Sequence, residues 1–274
     1  MDRRHQLIIV RGAGDIASGT ILKLCRCGYP VLALETGYPT AIRRQVAFSE
    51  AVYEGESQVE GTVCVRISRY EEAESVWGEG FIPLLVDPDC HVLKKVRPWA
   101  LVDAILAKKN LGTSRSMADK TIALGPGFTA GEDVDLVIET QRGHNLGRII
   151  GSGQASADTG TPGLIAGYGK ERVIHSPATG ILLGKSRIGD HVEQGQTIAV
   201  IVTGQGEVPV KASLTGLVRG LIKEGIPVKK GLKIADIDPR DTEFENCFTV
   251  SDKARCIAGA VLEGLLYLEA RQEL

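Results

Sequence analysis

The sequence predicts an α/β protein: a parallel sheet with helices first, a small all-β module second and a terminal helix last. Three observations predict it. Leu7 to Glu35 reads as strand, glycine turn, helix and strand. Later apolar runs end again and again in polar or glycine residues, as far as about His144. Beyond residue 172 a repeat of short, glycine-punctuated strands takes over, and after Ser251 comes the most periodic helical stretch of the chain.

The first segment sets the frame. An apolar strand, Leu7 to Val10, feeds a turn in which Gly12, Gly14 and Ala17 occupy the three positions of G-x-G-x-x-G/A. Ile16, Ala17, Thr20, Ile21 and Leu24 continue at helical spacing, so a helix is expected over 16–27, ended by Gly28 and Pro30. A second buried strand, Val31 to Leu34, stops at Glu35. This is the opening of a Rossmann-like domain. Gly12 permits the tight turn, Gly14 lets a pyrophosphate approach, and the helix start offers unpaired N–H groups. Glu35, 23 residues after Gly12, is placed to accept hydrogen bonds from a ribose diol, which favours NAD over NADP. Asp15 puts a carboxylate in the same loop, where it opposes phosphate or caps the helix.

After Glu35 a short helix is expected, with Thr40 as cap and Ile42, Val46 and Val52 on one face; Arg43 and Arg44 could clamp an anion. A strand over 59–67, a helix over 70–77 and a buried strand over 81–86 follow, the last ending in Asp87-Pro88-Asp89-Cys90. Further strands end near Asp103, at Gly125-Pro126-Gly127 and at Glu139-Thr140-Gln141-Arg142-Gly143-His144. In an open parallel sheet such ends share one crevice. There Glu139, Arg142 and His144 are candidates for acid–base catalysis, and Gly125 and Gly127 for presenting N–H groups to an anion.

Domain 1–150 is thus Rossmann-like, and 151–172, rich in Gly, Ser, Thr and Pro, reads as a connector. Over 173–238 an offset of 36 residues superimposes Thr179-Gly180 on Thr215-Gly216, Gly189 on Gly225, Val192 on Val228 and Ile198-Ala199 on Ile234-Ala235. Two such halves must interlock to bury their apolar faces. HSPATGILLGKSRIGDHVEQGQTIAVI and its partner resemble the biotinyl/lipoyl barrel-sandwich hybrid fold. The resemblance implies a carrier lysine at the tip between halves; Gly204-Gln205-Gly206 stands there instead, so no biotin or lipoate attachment is expected. The tail, 239–274, carries Ala254, Ile257, Ala258, Val261, Leu262, Leu265 and Leu266 at helical spacing after Ser251, a stripe to be covered by the first domain or by a second subunit.

A net charge of −2 argues against nucleic acid as the main partner. Six scattered cysteines suit reduced thiols rather than a disulfide scaffold, and Cys25 and Cys27 make a poor metal pair, so no metal site is expected. No apolar run approaches membrane-spanning length, which suits a soluble cytoplasmic protein without a membrane partner.

The blocks VRGAGDIASG, AIRRQVAFSEAVYEG, VDAILAKKN, IALGPGFTAGEDVDLVIETQRGHNLG, TGTPG, DIDPR and SDKA resemble the accessory proteins of selenium-dependent molybdenum hydroxylase systems. That resemblance implies a maturation role: a nucleotide-linked pterin or similar phosphate-bearing cofactor held in the crevice and presented to a hydroxylase. For selenium transfer Cys90 is the best-placed thiol, although its acidic neighbours disfavour the thiolate. An NAD-dependent oxidoreductase, with Glu35 on the ribose and Glu139 or His144 moving a proton, is the second reading, and a scaffold the third.

Overall fold

The structure, a computed structural model, describes residues 3, 5–161 and 163–272. Pro162 of the TGTPG block and the last two residues of the expected tail lie outside them. The chain forms two compact units. The first runs through Pro39, over Ala47–Thr159 and from Val250 onward; the second comprises Thr40–Val46 and Gly160–Thr249.

The first unit is built on strands β1 (Ile8–Arg11), β2 (Val31–Glu35), β3 (Glu56–Val59), β4 (Thr62–Ile67), β5 (Ile82–Val86), β6 (Ala100–Asp103), β7 (Lys120–Leu124), β8 (Thr129–Ala130), β9 (Leu136–Ile138), β10 (Ile149–Ile150) and β11 (Gly153–Gln154). Nine of them form one sheet in the order β10-β9-β7-β6-β1-β2-β5-β4-β3, while β8 and β11 pair separately. Strands β4, β5, β2, β1, β6, β7 and β9 run parallel; β3 and β10 close the two edges antiparallel. The order leaves β1 toward β2 in one direction and toward β6 in the other. The strand order thus reverses at β1 and β6, whose carboxyl ends mark the position where open parallel sheets take ligands.

The unit's helices are α1 (Asp15–Arg26), α2 (Ala51–Glu54), α3 (Ala73–Gly78) and α4 (Asp252–Gln272). Helix α1 buries Ile16, Ala17, Ile21 and Leu24 and stops at Gly28, whose φ of +83° suits glycine. Ser251 caps α4, its Oγ accepting from Ala254 N at 3.2 Å. Glycines let α4 settle closely: a Cβ on Gly19 would lie 2.9 Å from that of Ala254, and one on Gly264 3.1 Å from Ile122 Cδ1. Ala254, Ile257, Ala258, Val261 and Leu265 are buried, each larger aliphatic contributing roughly 1.5–3 kcal/mol.

The second unit holds β12 (Val173–His175), β13 (Gly180–Gly184), β14 (His191–Val192), β15 (Thr197–Thr203), β16 (Gly206–Lys211), β17 (Gly216–Leu221), β18 (Pro227–Val228) and β19 (Lys233–Asp238). They form two antiparallel sheets, β12-β19-β17-β14 and β16-β15-β13-β18. Strands β13, β14 and β15 recur 36 residues later as β17, β18 and β19. The short strand of each half is lent to the other: β14 pairs β17 as His191↔Leu217, and β18 pairs β13 as Pro227↔Ile181, the same register shifted by the repeat. Gly180 and Gly216 play one role, since a Cβ on either would collide with a carbonyl, that of Val202 or of Asp238.

The expectation of a Rossmann-like parallel sheet with a small barrel-sandwich hybrid is corrected to a mixed nine-stranded sheet with few helices and several antiparallel sheets. Hairpins close the sheet's edges, and β5 to β6 and β6 to β7 are bridged by 3-10 turns and loops where a doubly wound fold would place helices. Two local expectations also change. The single strand over 59–67 is a hairpin, because Glu60 and Gly61 take φ of +46° and +81°, the paired positive values of a two-residue turn. The helix expected after Glu35 is broken into short turns before α2. Its first part is recruited elsewhere: Ile42 O accepts from Leu221 N at 2.8 Å, beside β17 in the second unit.

Candidate functional site

At the end of β1 the chain turns through Gly12, Ala13 and Gly14 into α1. Gly12 has φ +96°, and a Cβ there would lie 2.9 Å from Ala104 O and 3.1 Å from Ile105 N, the start of the segment after β6. Gly127, φ +105°, is pressed by the same segment, its Cβ position overlapping the backbone of Lys108 and Lys109. Gly125, φ +81°, makes room for Thr140 Oγ1 and Leu106. Those three glycines are accounted for by close packing. Gly14 is different: its φ is −66°, and a Cβ there would meet nothing within 4 Å.

Gly14 is also the N-cap of α1 and supplies no side-chain hydrogen bond to the helix start. Ala17 is buried one turn on. Glu35, at the end of β2, reaches back to the turn: its carboxylate accepts from Ala13 N and from Thr36 N, each at 2.7 Å. Burial pushes this carboxyl above the usual glutamate range against those two hydrogen bonds. Gly12, Gly14, Ala17 and Glu35 are thus brought together around one turn.

Beneath it lies a buried polar network that the sequence reading missed. Arg11 Nη1 donates to Thr113 Oγ1 and lies 3.5 Å from Asp103 Oδ2; Arg11 Nη2 donates to Pro88 O at 2.8 Å and Leu111 O at 3.4 Å. Thr113 Oγ1 donates in turn to Asp103 Oδ2 at 2.6 Å. Burial raises the Asp103 carboxyl, opposed by hydrogen bonds from Thr113 and Ile105. The one signal available in the sequence was an arginine placed directly before the glycine turn at the end of an apolar strand.

Glu139, Arg142 and His144 share the loop after β9. Glu139 is buried and ties the loop, accepting from Gln141 N and Ser156 N at 2.7 Å each. Burial alone would raise its carboxyl, yet these hydrogen bonds hold it below the usual range. Arg142 forks onto Asp252 at 2.7 and 2.9 Å, and His144 is exposed. Lys253, next to Asp252 on α4, is a second residue missed; its ammonium is depressed by burial and by Arg142, against the pull of Asp15, Glu139 and Asp252.

Arg43 and Arg44 belong to the second unit. Arg43 is buried and donates to Asn246 O at 2.9 Å and Thr249 O at 3.1 Å, while Arg44 Nε donates to Leu221 O at 2.8 Å. Cys90 is buried, with a left-handed backbone, and burial pushes its thiol up to about 11. Among the described residues no group of three or more His, Cys, Asp or Glu is placed to hold a metal, and no helix is long and apolar enough to cross a membrane.

No protein-family model matches the chain. It is 52% identical over 264 residues to the uncharacterized protein YqeB of Escherichia coli strain K12, an alignment covering 96% of this chain and 48% of YqeB. The chain therefore spans about half the length of the curated relative it matches. Similar solved structures include the ectoine utilization protein EutE (DoeB) from Ruegeria pomeroyi, at 12% identity, TM-score 0.27 and 85% of each chain. A succinylglutamate desuccinylase/aspartoacylase from Rhodobacter sphaeroides matches at 14%, 0.28 and 86% of each. An aspartoacylase family protein from Mesorhizobium loti matches at 14%, 0.30 and 85% of each.

These comparisons overturn the resemblance to the accessory proteins of selenium-dependent molybdenum hydroxylases. The structural neighbours come from the desuccinylase and aspartoacylase group, and the curated relative is uncharacterized. The maturation role, the hydroxylase partner and the oxidoreductase alternative are withdrawn with it. TM-scores this low carry no activity onto the chain in their place.

Proposed function

We propose that the first unit binds a phosphate-bearing nucleotide, the class to which NAD belongs, beyond the carboxyl ends of β1 and β6. The observation that carries this reading is Gly14: a glycine without positive φ, facing open space at an uncapped helix start. The turn's own packing does not call for glycine there. A close-approaching ligand would, because a phosphate on the first-turn amides of α1 leaves no room for a side chain.

The neighbours divide the remaining work. Glu35 already holds Ala13 N, so the phosphate goes to the amides further along α1, and the carboxylate stands ready to accept from ligand hydroxyls. Calorimetric titration with ADP, NAD and inorganic phosphate tests the reading. Nucleotide binding is expected in the native chain and is lost in Gly14→Val, with thermal unfolding little changed. Failure of every nucleotide to bind, or undiminished binding by Gly14→Val, refutes it.

A further inference from the structure

The segment 104–113 crosses the point where strand order reverses, and it is held at both ends. At its start the backbone of Ala104 and Ile105 lies against Gly12, and Ile105 N donates to Asp103 Oδ1 at 3.1 Å. In its middle Lys108 and Lys109 press on Gly127, while Leu106 and Lys108, neither a glycine, take φ of +60° and +62°. Such backbone is disfavoured for side-chain-bearing residues and persists only where surroundings impose it. At its end Asn110 Oδ1 accepts from Gly112 N and Thr113 N, at 2.8 Å each, and Asn110 Nδ2 donates to Thr113 O at 2.9 Å.

Arg11 supplies the imposition. Its guanidinium reaches Asp103 and Thr113 at the two ends of the segment, Leu111 O within it, and Pro88 O after β5. The Thr113 hydroxyl has one orientation here, accepting from Arg11 and donating to Asp103. Because Arg11 is the residue directly before Gly12, the same side chain that fixes the 104–113 segment also anchors the turn that the segment presses on.

We propose that Arg11, through Thr113 and Asp103, is a positioning residue for the nucleotide site: it sets the strained 104–113 segment against Gly12 and so fixes the turn at Gly14, without touching ligand. This inference rests on the ligand reading above. The Arg11–Asp103–Thr113 relay, rather than any phosphate contact of its own, is what the site requires of this cluster.

ADP affinity tests it, measured by calorimetry on the full chain. Thr113→Val removes the hydroxyl while keeping the shape, and is expected to weaken ADP binding about tenfold or more. Thr113→Ser restores it, and amide exchange across residues 105–112 accelerates in Thr113→Val alone. A general stability role would instead lower the melting temperature without moving the affinity of the folded protein. If Thr113→Val fails to fold, Asn110→Ala releases the same end of the segment from a half-buried position and carries the same expectation. Native-like ADP affinity in the folded variant overturns the proposal and leaves the ligand reading standing. Absence of ADP binding in the native chain defeats the ligand reading, and this one with it.

Discussion

Replacing Gly12 and Gly14, one at a time, by alanine separates a glycine required by the fold from one that is not. At Gly12 the new Cβ enters with φ at +96°, a left-handed backbone that costs about 1–2 kcal/mol for an L side chain. It also lands 2.9 Å from Ala104 O and 3.1 Å from Ile105 N. Neither atom can retreat cheaply, since Ala104 N donates to Arg11 O at 2.8 Å and Ile105 N to Asp103 Oδ1 at 3.1 Å. Overpacking of this kind adds about 1–3 kcal/mol, so Gly12→Ala should cost about 2–5 kcal/mol in all. At Gly14 the φ of −66° suits alanine and nothing lies within 4 Å. Loss of glycine's N-cap preference and the gain from a less flexible unfolded chain are each a few tenths to about 1 kcal/mol and oppose one another. The net change should stay within about 0.5 kcal/mol.

Urea unfolding followed by tryptophan fluorescence reads this contrast in the correct place, because Trp77 and Trp99 both lie in the first unit. At an m-value of about 3 kcal/mol/M, the Gly12 variant's midpoint should fall by about 1 M, with the Gly14 variant near native. Coincident midpoints for the two variants, or a larger loss at Gly14, would refute the reasoning.

Two further outcomes follow from other parts of the molecule. Alkylation of the native protein at pH about 8, close to the ordinary thiol pKa, should label Cys27 and Cys256, which are exposed, and spare Cys64, Cys90 and Cys247, which are buried. Burial pushes the Cys25 thiol up to about 12, so it too should react slowly; rapid labelling of Cys90 by mass spectrometry would contradict the placement of its loop. In the second unit burial would raise the Asp238 carboxyl, but hydrogen bonds from Arg240 and the charge of Arg219 hold it below the usual range. A depressed carboxylate stabilises above its unfolded pKa of about 3.9, and that contribution fades as pH falls through the folded value. Amide exchange in β17 and β19 should therefore show Asp238→Asn destabilised at neutral pH, with the gap to native closing below about pH 4. A pH-independent gap would rule the ion cluster out as its source.

What the sequence makes legible depends on how local the cause is. Val31 to Leu34 and the glycine turn at 12–14 are short-range patterns, and the strand and turn stand where periodicity places them. Glu60-Gly61 was passed over because glutamate does not advertise a left-handed turn, although Gly61 after it does. The segment around Ile42 was misread because its partner, Leu221, lies far along the chain and claims its backbone. The site suffered in the same way. Gly125 and Gly127 read as presenting N–H groups to an anion and Gly12 as permitting a tight turn, yet each is also pressed by another part of the chain, a fact that no spacing rule encodes. Arg11, Asp103 and Thr113 are dispersed over about a hundred residues and meet only once β1 and β6 lie side by side.

The reciprocal loan of β14 and β18 bears on how the second unit assembles. Neither copy is a self-sufficient folding piece, since each leaves a gap that only its twin's short strand fills. A peptide bearing one copy could complete the same pair of sheets only by meeting a second like itself, as a twofold dimer. In the present chain the two copies are covalently continuous, so what would be a concentration-dependent encounter is an intramolecular pairing.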